Sequence, residues 1–257
     1  MEKNKKEQCR LCLYNRQLVQ SHIIPETFYK PLYADTTHHF ITASSDETKK
    51  ISLHQKGYRE QLMCKKCDGD IIGRYDKYIA EFIFQHTSPV IDMPRSILVP
   101  GINYDQLKLF QLSLLWRFHI AESPAFKAVN LNNNANTIRQ MLIDGNPGNE
   151  TFYPCVIIGP HNVPFDLTGG IFLPVLFGTK DCPMCRIILG GLLWIWFMKP
   201  NTTDHPFLEC CVKKNGLMHV IKGTPQLTEK IVAELMDINQ ATNKAPNAHK
   251  LGDWGYC

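Results

Sequence analysis

Cys64-Lys65-Lys66-Cys67-Asp68-Gly69-Asp70-Ile71-Ile72-Gly73-Arg74-Tyr75-Asp76-Lys77-Tyr78-Ile79-Ala80-Glu81-Phe82 opens with a CxxC pair and continues as a helix. Ile71, Ile72, Tyr75, Tyr78, Ile79 and Phe82 fall at helical spacing, so the two cysteines stand at a helix start. A second pair, Cys9-Arg10-Leu11-Cys12, lies upstream. Two CxxC pairs suit tetrahedral zinc, because a two-residue spacer turns the chain so that both sulfurs of a pair reach one metal. Cys9, Cys12, Cys64 and Cys67 are therefore expected to hold a structural Zn2+ with no open coordination position. The 51 residues between Cys12 and Cys64 exceed the span of a compact zinc ribbon, so something is inserted between the two knuckles.

Within the insertion, Arg16-Gln17-Leu18-Val19-Gln20-Ser21-His22-Ile23-Ile24-Pro25 alternates as a short hairpin strand that Pro25 ends, which puts His22 at a strand end. Residues 33 to 57 are polar, include His38 and His39, show no periodicity and read as a long loop. Of the net charge of +4, all the excess is in residues 1 to 80, where 14 Lys/Arg face 10 Asp/Glu. That balance suits a module meeting a polyanion.

Three prolines between Thr87 and Pro100 mark a boundary, so the organisation reads as a zinc module over 1–88, an α+β region over 95–240 and a polar tail over 241–257. Tyr104 to Ala121 is expected as an amphipathic helix with Leu107, Phe110, Leu114, Leu115 and Phe118 on one side, Arg117 snorkelling beside it. A helix near Ala135 to Ile143 precedes strand-like runs at 152–159, 170–178, 187–198 and 208–221, and a last helix at about 227–239. The run Ile187 to Met198 is too short to span a bilayer and reads as one central strand with a Gly190-Gly191 bend. Cys182 and Cys185 form another CxxC, and with Cys210-Cys211 a second metal is conceivable, although reduced cysteine is common as a small buried hydrophobe. The ten cysteines, the charged start Met1-Glu2-Lys3-Asn4-Lys5-Lys6 and the absence of a long apolar run together favour a cytoplasmic protein that uses thiols for metal, with no membrane partner. The fold class expected is α+β: the zinc-stapled module followed by a mixed helix and antiparallel-sheet domain.

The order of a CxxC pair, Ser21-His22-Ile23-Ile24-Pro25 and Leu62-Met63-Cys64-Lys65-Lys66-Cys67-Asp68 resembles the HNH nucleases of the ββα-metal superfamily over about residues 9 to 82. Phe110-Gln111-Leu112-Ser113-Leu114-Leu115-Trp116-Arg117 also looks like a segment that accompanies degenerate HNH modules in bacterial proteins. The resemblance implies that His22 is a general base that deprotonates water, a role a neutral imidazole suits. It implies that a catalytic Mg2+ or Mn2+ is held at positions matching Ser21 and Asp68. Ser21 departs from the family's carboxylate and is a weak ligand for a hard cation, so Asp70 or Asp76 would have to replace it. Glu60, near the family's central asparagine, either orients the imidazole or ligates the metal. Lys65, Lys66 and Arg74 would lie near phosphates.

Two functions follow as expectations. One is a metal-dependent endonuclease cleaving DNA or RNA. The other is a catalytically inactive zinc-stapled module that binds nucleic acid or a protein partner. By analogy, either belongs to phage defence or a mobile element; a homo-oligomer or a purely structural subunit is also open.

Overall fold

Short elements joined by turns dominate the N-terminal third, as its many polar residues dictate. In the computed structural model, residues 6–32, 40–42, 52–54, 57–85, 89–159, 171–227 and 229 are described. A two-residue hairpin, β1 (Glu7–Gln8) with β2 (Asn15–Arg16), carries the first CxxC in its loop. β3 (Leu18–His22) ends, as expected, just before Pro25, and a 3-10 turn, Glu26–Phe28, follows. Inside the stretch read as a loop, β4 (Phe40–Thr42) pairs antiparallel with β5 (Ser52–His54). The alternation there is too short to register as a strand pattern. His38 and His39 lie outside the described residues.

β6 (Arg59–Cys64) pairs antiparallel with β3, Leu18 opposite Cys64 and His22 opposite Arg59. The chain then turns through a π-helical stretch, Cys67–Ile72, into α1 (Gly73–Gln85). The result is a strand–strand–helix unit with the second CxxC at its corner. A mixed helix and sheet region follows, so the α+β, two-part architecture is as the sequence implies.

β7 (Ile91–Asp92) and β8 (Ser96–Val99) lead to α2 (Tyr104–Ile120), whose start is fixed by Asn103: its side-chain oxygen accepts the Gln106 N–H at 3.0 Å. α3 (Asn134–Asp144) stops at Gly145, which takes φ 67° and donates to the Met141 carbonyl. β9 (Cys155–Gly159), β10 (Phe172–Gly178), β11 (Pro183–Leu189), β12 (Leu192–Phe197) and β13 (Met218–Lys222) complete a seven-stranded sheet in the order β10-β11-β12-β9-β13-β8-β7. Every pairing is antiparallel except β9 with β13.

Three expectations change here. Ile187 to Met198 is not one strand: Gly190 (φ 58°) and Gly191 (φ 76°) form the two-residue turn of the β11–β12 hairpin, a turn that requires positive φ at both positions. A Cβ at Gly190 would stand 3.2 Å from Phe28, so the hairpin tip closes on the N-terminal unit. The 208–221 run breaks into a 3-10 turn, Pro206–Cys210, and β13, with Gly216 (φ 79°) reversing the chain between them. The 241–257 tail, and all but the first residues of the 227–239 helix, lie outside the described residues.

α2 is the third. Thirteen of its residues are buried, among them Lys108, Gln111, Ser113 and Arg117, so the helix is enclosed on all sides where a one-faced amphipath was expected. It packs against α1 and α3. Phe110 meets Phe28 at 6.4 Å and Trp194 edge-on at 5.9 Å, which places α2 between the strand–strand–helix unit and the sheet. The main core accordingly runs without interruption from Cys9 to Met218. Each large apolar side chain in it contributes about 1.5–3 kcal/mol. Among the described residues no helix is long and apolar enough to cross a membrane.

Candidate functional site

The first CxxC is held by its own loop. Cys9 N–H donates to the Tyr14 carbonyl at 3.0 Å and Leu13 N–H to the Cys9 carbonyl at 2.9 Å. This turn puts Leu13 at φ 63°, a left-handed conformation that a non-glycine side chain adopts at a cost. Two backbone donors join the knuckles: Arg10 N–H to the Leu62 carbonyl at 2.9 Å, and Cys64 N–H to Cys9 Sγ at 3.3 Å. The four sulfurs of Cys9, Cys12, Cys64 and Cys67 lie within 4.8 Å of one another. A tetrahedral zinc with Zn–S of about 2.3 Å needs sulfurs about 3.8 Å apart, so the donor set and its spacing fit a metal ion. Cys9 is fully buried, and Cys67 is nearly so. Burial, then hydrogen bonding to Cys64 and the other thiols, pushes the Cys67 thiol well up. A bound dication is what favours thiolates in such a crowd.

His22 sits at the end of β3, about a strand's length from Cys64. Its Nε2 is 2.6 Å from Glu26 Oε2, an oxygen that also accepts from Arg59 Nη2 at 2.8 Å. Burial and then the Arg59 charge lower the imidazole from its ordinary value, against the opposing pull of Glu26 and Asp68. The ring is therefore neutral near pH 7.

Of the acids named from sequence, Asp76 faces this strand end through Arg117. Arg117 is fully buried and grips Asp76 with two hydrogen bonds, 2.8 and 3.0 Å, while its Nη1 also donates to the His22 carbonyl at 3.2 Å. The expected snorkelling arginine is thus an internal strut. Burial raises the Asp76 carboxyl above its ordinary value, and the Arg117 charge offsets only part of that rise. Asp68, partly exposed at the start of the π-helical stretch, is close enough to both His22 and Asp76 to act on their charges, whereas Asp70 is exposed.

Ser21 and Glu60 are engaged elsewhere. Adjacent strand residues point to opposite faces, so Ser21, beside His22, turns inward: it is fully buried, and its hydroxyl accepts the Met63 N–H at 3.2 Å. The Glu60 carboxylate accepts the N–H groups of Glu122 and Ser123 at 2.7 and 2.9 Å, tying down the chain just after α2. The carboxylate beside His22 is Glu26, which the sequence reading passed over. A signal existed: Glu26 follows His22 by four residues across Pro25, and the 3-10 turn brings it back to the ring.

Lys65 and Lys66 are exposed in the spacer of the second CxxC. Arg74 lies apart from them, its guanidinium 4.7 Å from the Tyr75 ring centre and bonded to the Tyr75 hydroxyl, which donates to the Leu142 carbonyl. Among the described residues, the four cysteines are the one group in which three or more His, Cys, Asp or Glu ligand atoms converge within 4.8 Å. His22, Glu26, Asp68 and Asp76 do not form such a group, and neither do Cys182, Cys185, Cys210 and Cys211. Cys185 and Cys211 behave as buried thiols, each pushed up to about 12 by burial. Near Cys155 and Cys211, Lys108 is sealed in the core, pushed down to about 8 by burial, its Nζ donating to the Tyr153 carbonyl at 3.1 Å.

Comparison of the chain with protein-family models, with curated proteins and with solved structures found no match.

Proposed function

We propose that this protein is a zinc-stapled nucleic-acid-binding module of HNH-like kind that does not cut what it binds. The observation that carries the reading is that Asp76, Glu26 and Glu60 already have partners, and Asp68 by itself does not make a cation site. Asp76 is held bidentately by Arg117, Glu26 is shared by His22 and Arg59, and Glu60 is spent on backbone N–H groups. A hard dication such as Mg2+ needs several oxygen ligands not committed to other cations. The four-cysteine cluster, by contrast, suits zinc in a closed structural role. The basic excess of residues 1 to 80 supports nucleic acid as the partner.

The test is a paired assay: cleavage of plasmid DNA and of RNA in Mg2+ or Mn2+, and binding of both by mobility shift. The expected result is binding without cleavage, unaltered in His22→Ala. Cleavage by the wild type that His22→Ala abolishes, in a folded variant, overturns the proposal.

That outcome would establish the second reading, phosphodiester hydrolysis with His22 as general base. One observation favours it: the imidazole is held neutral and is bonded at 2.6 Å to a carboxylate that would orient it.

A further inference from the structure

We propose that the tip of the first knuckle is a stacking platform for an unpaired base, making single-stranded nucleic acid the partner; this rests on the binding role above and names its surface. Tyr14 is 67% exposed, the most exposed large apolar side chain among the described residues, and Leu13 beside it is 45% exposed. A fold that encloses three tryptophans and nearly all of α2 leaves an aromatic ring in water here, one residue beyond the knuckle's tight turn.

The ring's backbone is fixed. The Tyr14 carbonyl accepts the Cys9 N–H, the Leu13 carbonyl accepts the Gln8 side-chain amide at 3.1 Å, and the turn is closed by a metal ligand at each end of the spacer. A preorganised aromatic loses little freedom on binding. The Arg16 guanidinium lies 5.9 Å from the Tyr14 ring centre, so a cation and a π face are offered together.

The surrounding charge fits a phosphate backbone. The two CxxC spacers, brought together by their shared cluster, hold Arg10, Lys65 and Lys66 and no acid. Lys65 and Lys66 are exposed and form no ion pair among the described residues. The acids nearby are Glu7, opposite Arg16 across the hairpin, Glu122, which takes Arg10 at 3.0 Å, and Asp68 and Asp70 just after the second spacer, of which Asp68 is close enough to His22 and Asp76 to act on their charges. Bases in a duplex are stacked on one another and cannot meet a ring on a convex tip, whereas an unpaired base can.

The experiment uses fluorescence anisotropy with the whole zinc-loaded 257-residue chain. Its probes are labelled oligo-dT, oligo-rU and a duplex of equal length, each titrated at several salt concentrations. Tyr14→Ala should weaken single-strand binding about tenfold to hundredfold while Tyr14→Phe retains it, with duplex binding unmoved. Lys65→Gln with Lys66→Gln should flatten the slope of log affinity against log salt by about 1.4. Zinc content equal to wild type shows that the variants are folded, and the dT and rU arms separate DNA from RNA. If the wild type binds but Tyr14→Ala binds as tightly, the platform is wrong and the binding role stands. If the wild type binds none of the three probes, the binding role itself fails.

Discussion

The same strand–strand–helix unit presents two clusters of ligand-type side chains, one at each end of the β3–β6 pair. At one end four thiols converge within 4.8 Å with no cation of the chain's own between them. At the other, His22, Glu26, Asp68 and Asp76 are interleaved with Arg59 and Arg117, and no three ligand atoms come together. Donors that crowd one another need an external charge to hold them. Glu26 and Asp76, each matched to a guanidinium, have already found theirs. Residue type and proximity alone do not mark a metal site; the countercharge decides.

The largest effect is expected from attacking the thiol end. Cys64→Ser, or an excess of chelator, should abolish the cooperative melt and release one metal per chain, read by circular dichroism and elemental analysis. Structural zinc is worth about 10–16 kcal/mol in small modules, as much as a typical domain's whole stability. An unchanged melt after chelation would erase the contrast. Next comes the arginine-matched end: Asp76→Asn should cost about 3 kcal/mol in urea unfolding, because it leaves a fully buried guanidinium short of its countercharge. Replacing both partners, Asp76→Leu with Arg117→Met, should cost less than the single change.

Leu13→Gly should stabilise by about 0.5 kcal/mol in the same assay, the relief of a left-handed leucine slightly exceeding the freedom glycine adds to the unfolded chain. The smallest effect concerns pH. Since His22 is lowered below its ordinary 6.5, chiefly by burial, the unfolded chain takes up its proton first as pH falls. Stability from this residue is complete above pH 6.5 and declines as pH drops through 6.5 toward the folded value; His22→Gln should remove that decline. A profile with the reverse slope would mean that Glu26 governs the ring.

The cysteine cluster was legible because its constraint is local: each CxxC spacer presets two sulfurs, and only the long gap had to be trusted. The α2 boundaries were legible for the same reason, from the local spacing of Leu107, Phe110, Leu114, Leu115 and Phe118; the Asn103 cap came only with the structure. What surrounds α2 was not. Lys108, Gln111 and Arg117 imply a wet face, yet Lys108 bonds to the Tyr153 carbonyl and Arg117 to Asp76, 45 and 41 residues away, and the Gln111 amide has no hydrogen-bond partner among the described residues. Periodicity registers polarity and is blind to a distant countercharge. Gly190-Gly191 was misread because a bend and a hairpin turn share one composition and differ in φ. Around the β3 end, the motif singles out His22, whose role stays a proposal, while Glu60 and Ser21, assigned by position, serve the backbone. Strand alternation would have set Ser21 on the face opposite His22.

Because α2 floors the N-terminal unit, the order in which the ribosome delivers these pieces matters. Gln85, the last residue of α1, is made some 40 residues before Phe126, whose ring stacks on Phe118 and meets Tyr58. At about 5–20 residues per second, the nascent chain spends roughly two to eight seconds with Phe28, Tyr58 and Tyr75 complete but uncovered. Metal capture in that interval would hold the knuckles together while the apolar underside waits, which makes ion supply during translation a determinant of yield.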